Sequence, residues 1–131
     1  GDVAPNDRQK HLYQTAYDHV MTNIGLIEAG MSFSDMTRVS HRLPEMFRPL
    51  RYGVLAHGVG LCDEYPSVRY PEDVEAHGYG GCFEVGMTLC VEVYIGAVGE
   101  HDGVKLEEQV LITDSGAVPL STHRYEAAFL D

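Results

Sequence analysis

The sequence has few cysteines. Cys62, Cys82 and Cys90 are the only three among 131 residues, and no two of them form a C-x-x-C pair. An odd number of cysteines without that spacing favours neither a disulfide framework nor a structural zinc knuckle. We therefore expect a protein of the reducing cytoplasm.

Basic residues are also scarce, and long apolar runs are absent. Lys and Arg number 9 against 20 Asp and Glu, which gives a formal net charge of −11. This charge repels phosphate backbones and anionic lipid surfaces, so we expect neither nucleic acid nor a membrane as partner. No stretch reaches the roughly 18 apolar residues that a membrane span requires, and the amino terminus lacks the pattern of a signal peptide.

The composition that remains is that of a globular unit. Hydrophobic residues make up 44% of the chain and charged residues 22%. A chain of this length can bury one modest core but not two independent ones. Because the sequence begins with Gly1 and not with an initiator Met, we expect residues 1–131 to be a piece of a longer protein.

The amino-terminal part predicts a long helix. From Asp7 to about Ala29, apolar residues recur at the i, i+3, i+4 spacing of one helix stripe. Asn6 can cap the start of this helix by accepting a backbone N–H bond, and Gly30 can end it in the left-handed conformation.

The middle of the chain should be more broken. A second helix is expected from near Ser34 to about Arg42, because Pro44 then removes a backbone donor. Residues 44–51 should form a turn or a short helical piece. Apolar residues interleaved with glycines at 54–61 predict a short buried strand that opens into a loop. Residues 62–87 should be irregular, and loops of that length often cover a functional site.

The last third predicts a β-hairpin. Residues 88–96 and 104–113 both alternate between apolar and polar side chains, and a glycine-containing turn at 99–103 joins them. A second turn at 114–116 leads into a further short extended stretch. Helices followed by a hairpin predict an α+β fold with two helices packed on an antiparallel sheet.

Two acidic residues interrupt the strands of this hairpin. If Gly96 pairs with Gly103, Glu92 lies directly opposite Glu107, with Cβ atoms about 4.5 to 5.5 Å apart. Two carboxylates so close in a half-buried sheet oppose folding unless one holds a proton or a cation lies between them. The alternative is that they point to solvent or pair with Lys105 or Arg124.

A histidine completes a possible ligand set. Residues 57–61 read His-Gly-Val-Gly-Leu, and the glycine after His57 can leave the imidazole open to a site. A single histidine of this kind is also common on protein surfaces. One neutral imidazole with two carboxylates, however, suits Fe, Mn, Co or Zn.

The order of these motifs resembles the second half of the pita-bread family, which includes methionine aminopeptidases, prolidases and creatinase. By resemblance, a dinuclear metal centre is held by two Asp from earlier strands, then a His and two Glu. His57, Glu92 and Glu107 match the last three. The two Asp have no counterpart here, so the resemblance implies that residues 1–131 form the carboxy-terminal part of a pita-bread catalytic domain.

Two departures from the peptidase pattern resemble DddP-type dimethylsulfoniopropionate lyases. The second histidine of the peptidases is replaced by Glu64, and the Pro-Gly after the first metal Glu is replaced by Val-Tyr. Residues 63–66 read Asp-Glu-Tyr-Pro, as in those lyases. By that resemblance Asp63 is the catalytic base, and Tyr52 holds substrate or assists the chemistry.

The resemblance implies a homodimeric, metal-dependent enzyme that splits a small substrate, dimethylsulfoniopropionate, into acrylate and dimethyl sulfide, with iron as the expected metal. An acidic, tyrosine-bearing pocket would suit the sulfonium group, since aromatic faces attract onium cations. Tyr52, Tyr65 and Tyr94 are the candidates, with Tyr52 and Tyr94 expected to bind substrate. The alternatives are an Xaa-Pro peptidase and a pita-bread domain that binds a partner without catalysis. Residues 1–131 alone should be inactive and bind metal weakly.

Overall fold

A computed structural model describes residues 4–62 and 64–131 as helices packed on one sheet. The helices are α1 (Asp7–Leu26), α2 (Phe33–Val39) and α3 (Val74–His77), and the strands are β1 (Val54–Gly58), β2 (Ser67–Arg69), β3 (Thr88–Gly96), β4 (Gly103–Thr113) and β5 (Gly116–Pro119). Three 3-10 helices occupy Glu45–Leu50, Pro71–Asp73 and Ala127–Phe129. The predicted α+β class is confirmed.

Helix α1 starts where the sequence predicts and ends earlier. The side chain of Asn6 accepts the backbone N–H of Gln9, whose side chain in turn accepts the N–H of Asn6. The helix stops at Leu26 because Ile27 turns to an extended conformation that places it in the core, at 1% exposure. Gly30, at φ +85°, lies in the following turn and donates its N–H to the carbonyl of Phe83. Within the two described ranges, no helix has the length and apolar character needed to cross a bilayer.

Helix α2 is also shorter than predicted. Ser32 caps its start by accepting the N–H of Asp35. It ends at Val39, three residues before Arg42, because Ser40 adopts an extended conformation and its hydroxyl bonds the carbonyl of Thr37 at 2.9 Å. The helical piece expected at 44–51 is the 3-10 helix Glu45–Leu50.

The five strands form one antiparallel sheet in the order β2-β1-β3-β4-β5. The predicted register of the central hairpin is confirmed, since Gly96 pairs with Gly103 and Glu92 with Glu107. Residues alternate between the two faces of the sheet. Val91 and Val93 of β3 are fully buried in the core to which α1 contributes Ala16 and Val20, while Glu92 points to the opposite face.

The prediction that residues 62–87 are irregular is partly wrong. The segment contains β2 and α3, of three and four residues. Strand β2 covers the edge of β1, with Ala56 opposite Val68 and His57 opposite Ser67, and Val68 is 1% exposed. Elements this short carry too few residues to produce a detectable hydrophobic period.

Candidate metal centre

The structure brings the three predicted ligands together on one face of the sheet. His57 lies on β1, Glu92 on the adjacent β3 and Glu107 on β4. The Nε2 atom of His57 lies 3.2 Å from Oε1 of Glu92 and 3.8 Å from Oε1 of Glu107. Neighbouring strands in register therefore create the cluster, which needs no long loop to assemble.

The backbone after His57 is held by a tight approach of the following loop. Gly58 donates its N–H to the carbonyl of Pro66 at 2.7 Å, and a Cβ at position 58 would collide with the carbonyl oxygen of Tyr65. A close backbone approach is thus found at Gly58, whereas Gly60 has open space around it. His57 lies on the strand and not in a loop, because β1 extends to Gly58.

The orientation of the His57 ring favours a cation next to its Nε2 atom. Nδ1 lies 3.0 Å from the carbonyl oxygen of Gly58, which can only accept, so Nδ1 carries a proton and donates it. In the neutral ring, Nε2 then has a lone pair that faces the carboxylate of Glu92. Two acceptors at 3.2 Å repel unless a second proton or a cation lies between them.

Glu92 is the most deeply buried acid of the cluster. Its side chain is 0% exposed, and within the described part of the chain its carboxylate oxygens face the His57 ring nitrogen and the Lys105 ammonium without a hydrogen bond of good angular geometry. A buried carboxylate is costly without a compensating charge. With His57 and Glu107 beside it, Glu92 therefore fits a divalent cation bound by nitrogen and oxygen ligands.

Lys105, which the sequence offered as an alternative partner for the two carboxylates, contacts both of them. Its Nζ atom lies 2.8 Å from Oε2 of Glu92 and 3.1 Å from Oε2 of Glu107. The contact with Glu92, helped by Glu107, raises the pKa of Lys105 well above its usual range although burial opposes this. Partial burial works to raise the pKa of Glu107, but Cys90, Lys105 and His57 outweigh it and hold that pKa below its ordinary value.

Cys90 is a site residue that sequence reasoning missed. Its sulfur lies within 4.8 Å of ligand atoms of both His57 and Glu107, so these three could also hold a metal ion. Burial, together with the neighbouring Glu107 carboxylate, raises the pKa of the Cys90 thiol to about 12. The available signal was its position two residues before Glu92, on the same face of β3.

The residues predicted from the sequence to bind substrate lie at different distances from the metal cluster. Tyr52 borders the cluster, with its ring centroid 5.4 Å from Nζ of Lys105, and burial together with Glu92 raises its pKa. Tyr94 shares the face, but its ring lies over Gly103 at the hairpin end, away from Glu107, so it is less well placed to meet a substrate there. Asp63 lies outside the described residues.

Sequence comparisons show which known proteins this chain is similar to. The model of metallopeptidase family M24 matches residues 1–114. The chain is 42% identical over 130 residues to dimethylsulfoniopropionate lyase DddP of Roseovarius nubinhibens, and the aligned region covers 99% of this chain and 29% of that protein. This chain therefore spans less than a third of that relative's length.

Solved structures give the same fold. An X-Pro aminopeptidase from Thermotoga maritima superposes with a TM-score of 0.73 at 19% identity, covering 92% of this chain and 33% of its own. Prolidase from Pyrococcus furiosus superposes with a TM-score of 0.71 at 25% identity, covering 92% of this chain and 35% of its own. The chain belongs to metallopeptidase family M24, and its helices and sheet have the architecture of the carboxy-terminal part of a pita-bread domain.

Proposed function

We propose that the whole protein is a metal-dependent lyase that splits dimethylsulfoniopropionate into dimethyl sulfide and acrylate. The observation that carries this proposal is the meeting of His57, Glu92 and Glu107 in a chain 42% identical to a protein named dimethylsulfoniopropionate lyase. The cytoplasmic location and the homodimer expected from the sequence stay predictions, as does the inactivity of residues 1–131 alone.

His57, Glu92 and Glu107 would hold part of a dinuclear divalent metal centre. By the family resemblance, two Asp ligands come from elsewhere in the whole protein. Iron is the proposed metal, with Mn, Co and Zn as alternatives suited to the same donors. The metal supplies positive charge that stabilises the negative charge developing next to the substrate carboxylate.

The reaction is a β-elimination in which the protein moves one proton. Asp63, the proposed base, takes the proton from the carbon next to the substrate carboxylate. The electrons of that C–H bond form the carbon–carbon double bond of acrylate. The carbon–sulfur bond breaks at the same time, and its electron pair leaves with neutral dimethyl sulfide.

Tyr52 is proposed to recognise the sulfonium cation. Its ring already has the Lys105 ammonium nearby, with 5.4 Å between Nζ and the ring centroid, and the carboxylates of Glu92 and Glu107 add negative charge around it. Aromatic faces and carboxylates both attract onium groups. Tyr94 is proposed for the same role with less geometric support.

The test is an assay of the whole protein with two substrates. Dimethyl sulfide released from dimethylsulfoniopropionate is measured by gas chromatography, and cleavage of Xaa-Pro dipeptides is measured in parallel. We expect dimethyl sulfide release, and its loss by at least about a hundredfold in Asp63→Asn, since a general base typically contributes that much. Asp18→Asn, an exposed position of α1, is the matched control.

An Xaa-Pro peptidase is the second candidate, because prolidase from Pyrococcus furiosus has the same fold at 25% identity. Against it, residue 64 is Glu where the peptidase motif has its second histidine. Dipeptide cleavage without dimethyl sulfide release would favour the peptidase and reject the lyase.

A further inference from the structure

The two carboxylates of the cluster are contacted on both sides. On one side, His57 Nε2 lies 3.2 Å and 3.8 Å from the Oε1 atoms of Glu92 and Glu107. On the other side, Lys105 Nζ lies 2.8 Å and 3.1 Å from their Oε2 atoms. The ammonium therefore already supplies one positive charge to the same two carboxylates that a metal ion beside His57 would contact.

Lys105 differs from the acids in its freedom to move. Its side chain is 51% exposed, while that of Glu92 is 0% exposed and fixed within the sheet. A lysine stem has four rotatable carbons, so the ammonium can leave the carboxylates without any change in the strands.

We propose that Lys105 is an internal counter-cation that offsets part of the charge of Glu92 and Glu107 in the metal-free protein and is displaced from them when metal binds. The inference rests on the metal centre proposed above. It predicts two opposite effects of the same side chain. Lys105 stabilises the metal-free fold, because it offsets the repulsion between two like charges, and it weakens metal binding, because a metal ion on the same carboxylates repels the ammonium.

The experiment measures Mn²⁺ binding to the whole protein by isothermal titration calorimetry, with Mn²⁺ chosen because it is not readily oxidised. Lys105→Met and Lys105→Gln are expected to bind Mn²⁺ at least about tenfold more tightly than the wild type, since repulsion between neighbouring cations is removed. Two variants guard against a folding defect in one of them. Lys10→Met is the matched control, because Lys10 lies on α1 and contacts the backbone of Asp131.

Urea unfolding of the same proteins supplies the second readout. Without Mn²⁺, both Lys105 variants should unfold at lower urea than the wild type, and with saturating Mn²⁺ this order should reverse. A lysine with a purely structural role would lower stability and leave the Mn²⁺ affinity unchanged.

The outcomes separate this proposal from the metal centre itself. Binding that is lost in Glu107→Gln but equal in wild type and Lys105 variants would overturn the displacement and keep the centre. Absence of Mn²⁺ binding in every form, the Lys105 variants included, would overturn both.

Discussion

Two polar clusters within the described residues each surround a fully buried side chain, and they are built in opposite ways. In the first, defined by His19, Asn23, His41 and Tyr70, each ring nitrogen of His19 has a polar partner within hydrogen-bond distance. Nε2 lies 3.1 Å from the Asn23 amide and 3.1 Å from the Tyr70 hydroxyl, and Nδ1 lies 3.1 Å from His41. In the second, the metal cluster of His57, Glu92 and Glu107, charged groups meet and both oxygens of Glu92 lack well-formed hydrogen bonds within the described residues.

The difference shows that burial of a polar side chain does not by itself mark a site. His19 and Glu92 are both 0% exposed. In the His19 cluster, the polar groups of the protein serve as hydrogen-bond partners for one another. The cluster also joins α1 to the segment before β1 and the segment after β2. The metal cluster is left with excess negative charge, so it calls for a cation from outside the chain. A change in the first should alter folding, and a change in the second should alter function.

The largest expected effect is on function. Glu92→Gln in the whole protein removes one charged ligand and should lower bound metal and dimethyl sulfide release by at least about a thousandfold. Its stability without metal should change much less than its function, because relief of repulsion with Glu107 offsets part of the lost contact with Lys105. Metal analysis, the gas-chromatographic assay and urea unfolding measure the three quantities. Glu28→Gln, at an exposed position, is the control, and near-normal metal content in Glu92→Gln would contradict the assignment.

The second-largest effect is expected on stability, from a substitution in the backbone segment that supports the metal cluster. Gly58→Ala should cost about 2 to 3 kcal/mol, because the new Cβ meets the Tyr65 carbonyl and the loop must move. Gly60→Ala, two residues on, has nothing within 4 Å and should change stability by less than about 0.5 kcal/mol. Urea unfolding compares them, and equal stability of the two variants would show that the loop does not pack tightly on β1.

The His19 cluster should make folding dependent on pH. Burial, with His41 adding to it, lowers the pKa of His19 from 6.5 to about 3. Between these values the unfolded chain binds a proton that the folded chain does not, so stability falls as pH drops below 6.5. Between pH 7 and pH 5 this loss is about 2 kcal/mol, and His19→Gln should lack it. Urea unfolding of both proteins at the two pH values tests this, and parallel losses would show that His19 is not the group responsible.

Sequence reasoning reached the metal cluster because its geometry follows from a local rule. Once Gly96 pairs with Gly103, alternation fixes Glu92 opposite Glu107, and the resemblance adds His57 on the next strand. The His19 cluster had no such rule, since His41 and Tyr70 are distant in sequence and reach His19 only through tertiary packing. The strand β2 and helix α3 were missed because they are too short to show a period.

The smallest expected effect tests the negative charge of the metal cluster. Because burial and Glu107 raise the pKa of Cys90 to about 12, its thiol stays protonated at pH 8, whereas Cys62 and Cys82 are exposed. With a disulfide reagent such as DTNB, two thiols should react quickly and one at least about tenfold more slowly. The slow phase should vanish in Cys90→Ser, while Cys82→Ser should remove only part of the fast phase. A Cys90 that reacts as fast as Cys62 would show that neither burial nor the nearby carboxylates suppress ionisation of its thiol, contrary to the excess negative charge assigned to the metal cluster.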